Sequence, residues 1–208
     1  MLDTLKSALY GQDDDAKTVA VEGFSKLMLL KVHRDTEVLQ ALMLLYYHPS
    51  TADILRLRQC LNFFLQVFAY SSHENQDLIR QITVSTIKNL SILYRQNEKE
   101  FQFTPLLVAQ QFIDWTDSNK VIVSAAAASA EGNPQVKQRN HAKLALEMLK
   151  ECNDDPSSWA KLFISCLVKM KIGKDATMAE LTEISEQSNH LQRVSTYIYI
   201  YIYILIWG

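Results

Sequence analysis

The apolar positions of this chain recur at three- and four-residue steps almost from end to end. Ile54, Leu57, Leu61, Phe64, Leu65 and Phe68 share one helical face, with Arg56, Arg58, Gln59 and Asn62 on its flanks or solvent side. This pattern predicts a helix from just after Ser50 to near Ser71. The preceding TEVLQALMLLYYHP predicts a helix over Thr36–Tyr47, closed by His48 and Pro49. It is apolar on most of its circumference, so neighbours must cover it on more than one side. Two helices cannot give that cover, and a stack is expected. Val21, Phe24 and Leu27 or Met28 mark the turns of a helix from about Lys17 to Lys31, and Ile79, Ile82, Thr86, Leu90 and Leu93 line one over about Glu74–Gln96. Glu22 and Asn62, in the first and third of these helices, stand 40 residues apart, which suits a two-helix repeat with a period of about 40–47 residues.

Local signals supply the helix ends. The first ten residues read as a short helix stopped by Gly11, and Asp13, Asp14 and Asp15 as the acidic start of the next. Ser50 with Asp53, Ser71 with Glu74 and Thr177 with Glu180 have the spacing of capping boxes. Thr104-Pro105, Asn133-Pro134 and Asp155-Pro156 each place a capping residue before a proline at the first helical position. One helix is expected over Pro105–Thr116, and another carries the stripe Trp159, Leu162, Phe163, Cys166, Leu167 and Met170. A last helix opens at Thr177 with Leu181, Ile184, Ser188 and Leu191 inward. The expected fold is all-α, an α-solenoid of HEAT-like antiparallel helix pairs. Residues 1–120 form the first segment, 121–135 a linker or inter-repeat loop, and 136–193 further helices of the solenoid. Residues 194–208 are a low-complexity Tyr/Ile tail, outside the native structure: YIYIYIYI is apolar on both faces of any strand, and no partner strand is expected.

Three separated strings agree in order and spacing with one family: EGFSKLMLL (Glu22–Leu30), LMLLYYHPST (Leu42–Thr51) and LRLRQCLNFFLQVFAYSSHENQ (Leu55–Gln76). FIDWTDSNK (Phe112–Lys120) extends the agreement, so that it covers roughly the first 120 residues. The chain resembles the CAP-G family, the non-SMC HEAT-repeat subunits of condensin, in their carboxy-terminal HEAT region. The resemblance implies a scaffold that binds a kleisin subunit and double-stranded DNA without sequence preference, in mitotic chromosome condensation. Energy for that work would come from the SMC ATPase subunits, reached through the kleisin. It implies a place in the nucleus and on chromosomes, with the cytoplasm outside mitosis. The chain is several times shorter than full-length members of the family, as a partial or truncated copy would be.

Charge and composition narrow the chemistry. Twenty-one Lys/Arg stand against 23 Asp/Glu for a net charge of −2, so any nucleic-acid contact must come from a local stripe. Cys60, Cys152 and Cys166 form no C-x-x-C, which fits thiols in a reducing compartment. The amino terminus lacks the pattern of a secretory signal, and the 11 apolar residues Tyr197–Trp207 fall short of the ~20 that span a bilayer. The five histidines form no zinc spacing, and neither a nucleotide loop nor a nucleophile elbow occurs. The expectation is a non-enzyme with no cofactor, metal, membrane or small-molecule substrate. The Asn89-Leu90-Ser91 sequon lies within a helix.

The candidate DNA contacts are Lys26, Lys31 and Arg34 at the end of one helix, and Arg56 and Arg58 at the start of another. If the repeats stack in parallel, they would present a row of charges to phosphates. The competing reading makes them solvated helix ends paired with Glu22, Asp35, Glu37 and Asp53. Thr104 before Pro105 is a minimal site for proline-directed kinases, but a helix cap explains the pair without modification. The alternative function is a HEAT/armadillo-type protein-binding adaptor with no DNA role.

Overall fold

The computed structural model describes residues 2–122, 140–172 and 176–192, the last without the side chains of 190–192. Every regular element among them is helical: α1 (Leu2–Leu9), α2 (Asp14–Leu29), α3 (Thr36–Tyr47), α4 (Leu55–Ser71), α5 (His73–Gln96), α6 (Pro105–Trp115), α7 (Asn140–Asp154), α8 (Pro156–Leu167) and α9 (Met178–Gln192). Short 3-10 turns lie at Pro49–Thr51, Glu98–Glu100 and Ser118–Lys120. The Asn133-Pro134 signal, most of the expected linker over 121–135 and the Tyr/Ile tail fall outside the described residues. The chain divides into two compact units, Met1–Thr104 and Pro105–Gly208.

In the first unit α2 packs on α4 and α3 on α5, while α4 also touches α3 and α5, and α1 lies on α2. Cross-helix pairs show the register. Glu22 meets Arg56, Ser25 meets Cys60 and Arg34 meets Glu74, so α2 and α4 run parallel. Gln40 donates to Ser85, 45 residues on, in the second layer. Each helix thus meets its counterpart one repeat later, and the sequence periodicity becomes a two-layer stack. The predicted α4 face is buried from Leu57 to Phe68, with Phe64 and Phe68 rings 5.2 Å apart. Helix α3 buries Val38, Leu39, Ala41, Leu42, Met43 and Tyr47, which matches its nearly all-round apolarity.

Several helix ends follow the sequence. Asp13 caps α2 through the Asp15 and Ala16 N–H groups at 2.9 and 3.1 Å. Asp155 caps α8 ahead of Pro156, and Thr177 and Glu180 close a reciprocal capping box on α9. Two expected boxes differ. Pro49 opens a 3-10 turn in which Ser50 bonds His48 Nδ1, so Ser50 and Asp53 do not cap α4; its N-cap Ile54 makes no side-chain bond. On α5 the cap is Ser72, accepting from the Asn75 N–H, while Ser71 still belongs to α4. A single extended residue therefore separates the two helices. Helix α2 closes with Val32 N–H donating to Leu27 O and Lys31 N–H to Met28 O, a Schellman motif with Lys31 at φ 59°.

In the second unit α7 packs on both α8 and α9, and α6 on α8. Trp159, Phe163, Cys166 and Leu167 are buried as expected, and Met170 is buried just beyond the end of α8. His141 ties this unit together. Its Nδ1 accepts the Lys171 backbone N–H at 3.0 Å, which places the proton on Nε2, and Nε2–H donates to Ile113 O at 2.9 Å. Lys171 Nζ also meets Asp117 at 2.6 Å. Burial pushes the Cys152 and Cys166 thiols up to about 12, as inert packing thiols rather than reactive ones.

Candidate functional site

The five basic candidates do not form one row. Because α2 and α4 are parallel, the end of α2 lies beside the end of α4, not its start. Arg56 opens α4 and forks onto Glu22 with Nε–Oε1 2.6 Å and Nη2–Oε2 2.9 Å. Lys26 belongs to this group: it helps lower the Glu22 pKa without an ion pair of its own among the described residues. Arg34 and Lys31 instead meet Glu74, at 2.8 and 3.8 Å. Arg56 and the Glu74 pairs thus stand towards opposite ends of the 17-residue α4, with Lys26 between them on α2. Arg58 points elsewhere again. Its guanidinium lies 4.8 Å from the Tyr46 ring centroid and donates to Tyr46 O and to Gln102 Oε1.

The electrostatics follow from these pairs. The Arg56 hydrogen bond holds the Glu22 carboxyl below its ordinary range and raises Arg56 in turn. Arg34, helped by the Lys31 charge, likewise holds the Glu74 carboxyl below its ordinary range. Of the acids expected as partners, Glu22 is used as predicted, whereas Asp35 takes Lys6 at 2.5 Å. Glu74 was not foreseen, because only the parallel register brings it to the end of α2. Thr104 is exposed and immediately precedes Pro105, the first residue of α6. Among the described residues no cluster of His, Cys, Asp and Glu is placed to hold a metal, and no helix is long and apolar enough to cross a membrane.

A second feature was not singled out from the sequence. An apolar pocket of about 420 Å³ opens on the α3–α5 layer, walled by Leu9, Tyr10, Ala41, Leu44, Leu45, His48, Asn89, Ile92 and Leu93. Its signal was present in the all-round apolarity of α3, whose Leu44 and Leu45 stay only half-buried.

Parallel helices that meet their counterparts one repeat on, in two layers, define a HEAT-type α-solenoid. The family model described as nuclear condensing complex subunits, C-terminal domain (Cnd3), matches residues 1–172, and the chain belongs to this family. It is 31% identical over 180 residues to condensin complex subunit 3 of Schizosaccharomyces pombe, covering 83% of this chain and 20% of that protein. Against the Homo sapiens condensin complex subunit 3 it is 28% identical over 199 residues, 90% of this chain and 18% of that protein. The fold matches a chain in the crystal structure of the S. pombe condensin Cnd3-Cnd2 subcomplex with TM-score 0.82 and 25% identity. That match covers 97% of this chain and 27% of the other. The chain thus spans about a fifth of the length of these curated relatives.

Proposed function

We propose that this chain acts as a non-catalytic scaffold segment of condensin, holding the kleisin subunit and, beside it, double-stranded DNA. The observation that carries the reading is the family match over residues 1–172, together with the fold shared with one chain of a Cnd3-Cnd2 subcomplex. Cnd2 is the kleisin. On this reading the protein works in the nucleus on mitotic chromosomes, and the SMC ATPases supply the energy.

DNA contact would be electrostatic and blind to sequence, using Lys26, Lys31, Arg34, Arg56 and Arg58. Because Arg56 and Arg34 already hold carboxylates, they must exchange Glu22 and Glu74 for phosphates. Binding by this chain alone is therefore weak and strengthens when the kleisin closes over the DNA. Five phosphate contacts correspond to a log–log salt slope of roughly −4 to −5. Titration of two unrelated duplexes, with and without Cnd2, checks this across a range of salt. Arg56→Glu with Arg58→Glu should weaken both duplexes equally and flatten the slope by about 2. Unchanged affinity and slope in that variant would remove the DNA role. The same ion pairs favour a second reading, a HEAT adaptor that binds protein alone, because paired guanidinium groups are also what solvated helix surfaces display.

A further inference from the structure

Of the three arginines among the basic candidates, Arg58 is the one that no carboxylate neutralises among the described residues. Arg56 is spent on Glu22, and Arg34 shares Glu74 with Lys31. Arg58 has neutral acceptors instead: the Tyr46 carbonyl, and Gln102 Oε1 at 3.1 Å. Its guanidinium is half-buried and fixed 4.8 Å from the Tyr46 ring centroid. A guanidinium carries more N–H groups than these two acceptors take, so part of the fork stays open. A cation held in place, partly desolvated and unpaired, is matched by an anion.

The hydrogen bonds around it leave donors, not acceptors, beside that fork. Asn62 lies one turn after Arg58 on α4, a rise of about 6 Å, on the same face. Its Oδ1 accepts from Tyr46 Oη–H at 3.0 Å and from the Gln66 amide at 3.4 Å, which leaves the Nδ2 hydrogens open. Gln102 Oε1 is engaged by Arg58, which leaves Gln102 Nε2 open in the same way. Both amides are exposed. Glu98 and Glu100 lie close to Gln102 in sequence but bond none of these side chains, and Glu98 takes the Tyr94 hydroxyl. One guanidinium and two amide donors thus converge without a carboxylate. Their single positive charge matches a phosphodiester, which carries one negative charge, better than a phosphorylated side chain, which carries nearly two. Amide donors of this kind hold the phosphate backbone of DNA without reading its bases.

We infer that Arg58, Asn62 and Gln102 form a phosphodiester cradle, on which the DNA backbone seats before the paired arginines release their carboxylates. The inference rests on the proposed DNA contact and names its anchor. The test is fluorescence anisotropy with the full chain and two unrelated labelled duplexes at low salt, alone and with the S. pombe Cnd2 subunit. Arg58→Gln should weaken both duplexes about tenfold and reduce the log–log salt slope by about 0.9. Asn62→Ala with Gln102→Ala removes no charge, so it should weaken both about fivefold and leave the slope unchanged. A general field of surface charge would not respond to that amide pair. Wild-type chain that binds neither duplex, with or without Cnd2, overturns the DNA reading and this inference with it. Wild-type binding that either variant retains overturns the cradle alone and leaves DNA contact to the other basic residues. If Arg58→Gln loses its helical circular dichroism, the exposed amide pair decides. Tighter binding of a phosphoserine peptide than of either duplex would overturn DNA as the occupant.

Discussion

At the scale of single residues, the apolar stripes were readable because burial on a helix is a periodic property that neighbours in sequence reveal. Leu57, Leu61, Phe64 and Phe68 were placed inward from spacing alone, and they are buried. Phe64→Ala should therefore destabilise the first unit by roughly 3–5 kcal/mol in urea denaturation. Charge pairing was less legible. Arg56 with Glu22 could be guessed, but Arg34 with Glu74 depends on a register that no local pattern encodes. His141 is the sharpest case of a residue invisible in sequence. Burial holds its pKa below the ordinary histidine value, against the pull of the Ile113 carbonyl and nearby Asp117 and Asp114, and in concert with the Lys171 charge. Folding thus selects the neutral ring that accepts from the Lys171 N–H. Its contribution is fully present above the unfolded value of 6.5 and declines as pH falls below it, because the unfolded chain protonates first. Melting temperatures at pH 7.5 and 5.5 should show a decrease that His141→Gln makes smaller. An equal decrease in both proteins would remove His141 from the pH dependence.

Among the helical elements, boundaries were predicted well where one side chain decides them. Asp13, Asp155 and the Thr177–Glu180 pair cap the helices they were assigned to. The Ser50–Asp53 box failed because Pro49 fixes a backbone angle that starts a 3-10 turn, and the serine then serves His48. Asp13→Ala should cost about 1 kcal/mol, by loss of the bonds to two free N–H groups. The end of α2 carries a conflict of its own. Its Schellman position is occupied by Lys31 in the left-handed region, where a glycine would fit without penalty. Lys31→Gly should raise stability by about 1 kcal/mol, since a left-handed side chain costs about that much. If the lysine contacts phosphate, the same variant should also weaken DNA binding and reduce the salt slope by about 0.9. A stabilised variant with unaltered binding would leave Lys31 as an exposed helix end.

For the molecule as a whole, repeat length was the signal that survived. The spacing of 40 residues between Glu22 and Asn62 lies within the range of offsets seen: 34 for Glu22 with Arg56, 40 for Arg34 with Glu74 and 45 for Gln40 with Ser85. What the spacing could not supply was helix direction within a layer. The parallel packing of α2 on α4 therefore sets Arg56 and the Arg34–Lys31 pair towards opposite ends of α4 instead of in one row. The pocket was missed for a related reason: it is made by residues 9 to 93, and only their spatial assembly creates it. The tail stands apart from this repeat logic. Residues 197–208 add apolar surface with no charged gatekeeper, so their deletion should raise soluble yield without lowering the melting temperature. The central claim is that this solenoid segment is built to hold a kleisin. Isothermal titration of the full chain with the S. pombe Cnd2 subunit, checked by light scattering, tests that directly. The account predicts a saturable one-to-one complex. Heats no larger than dilution, with both proteins eluting separately, would contradict it.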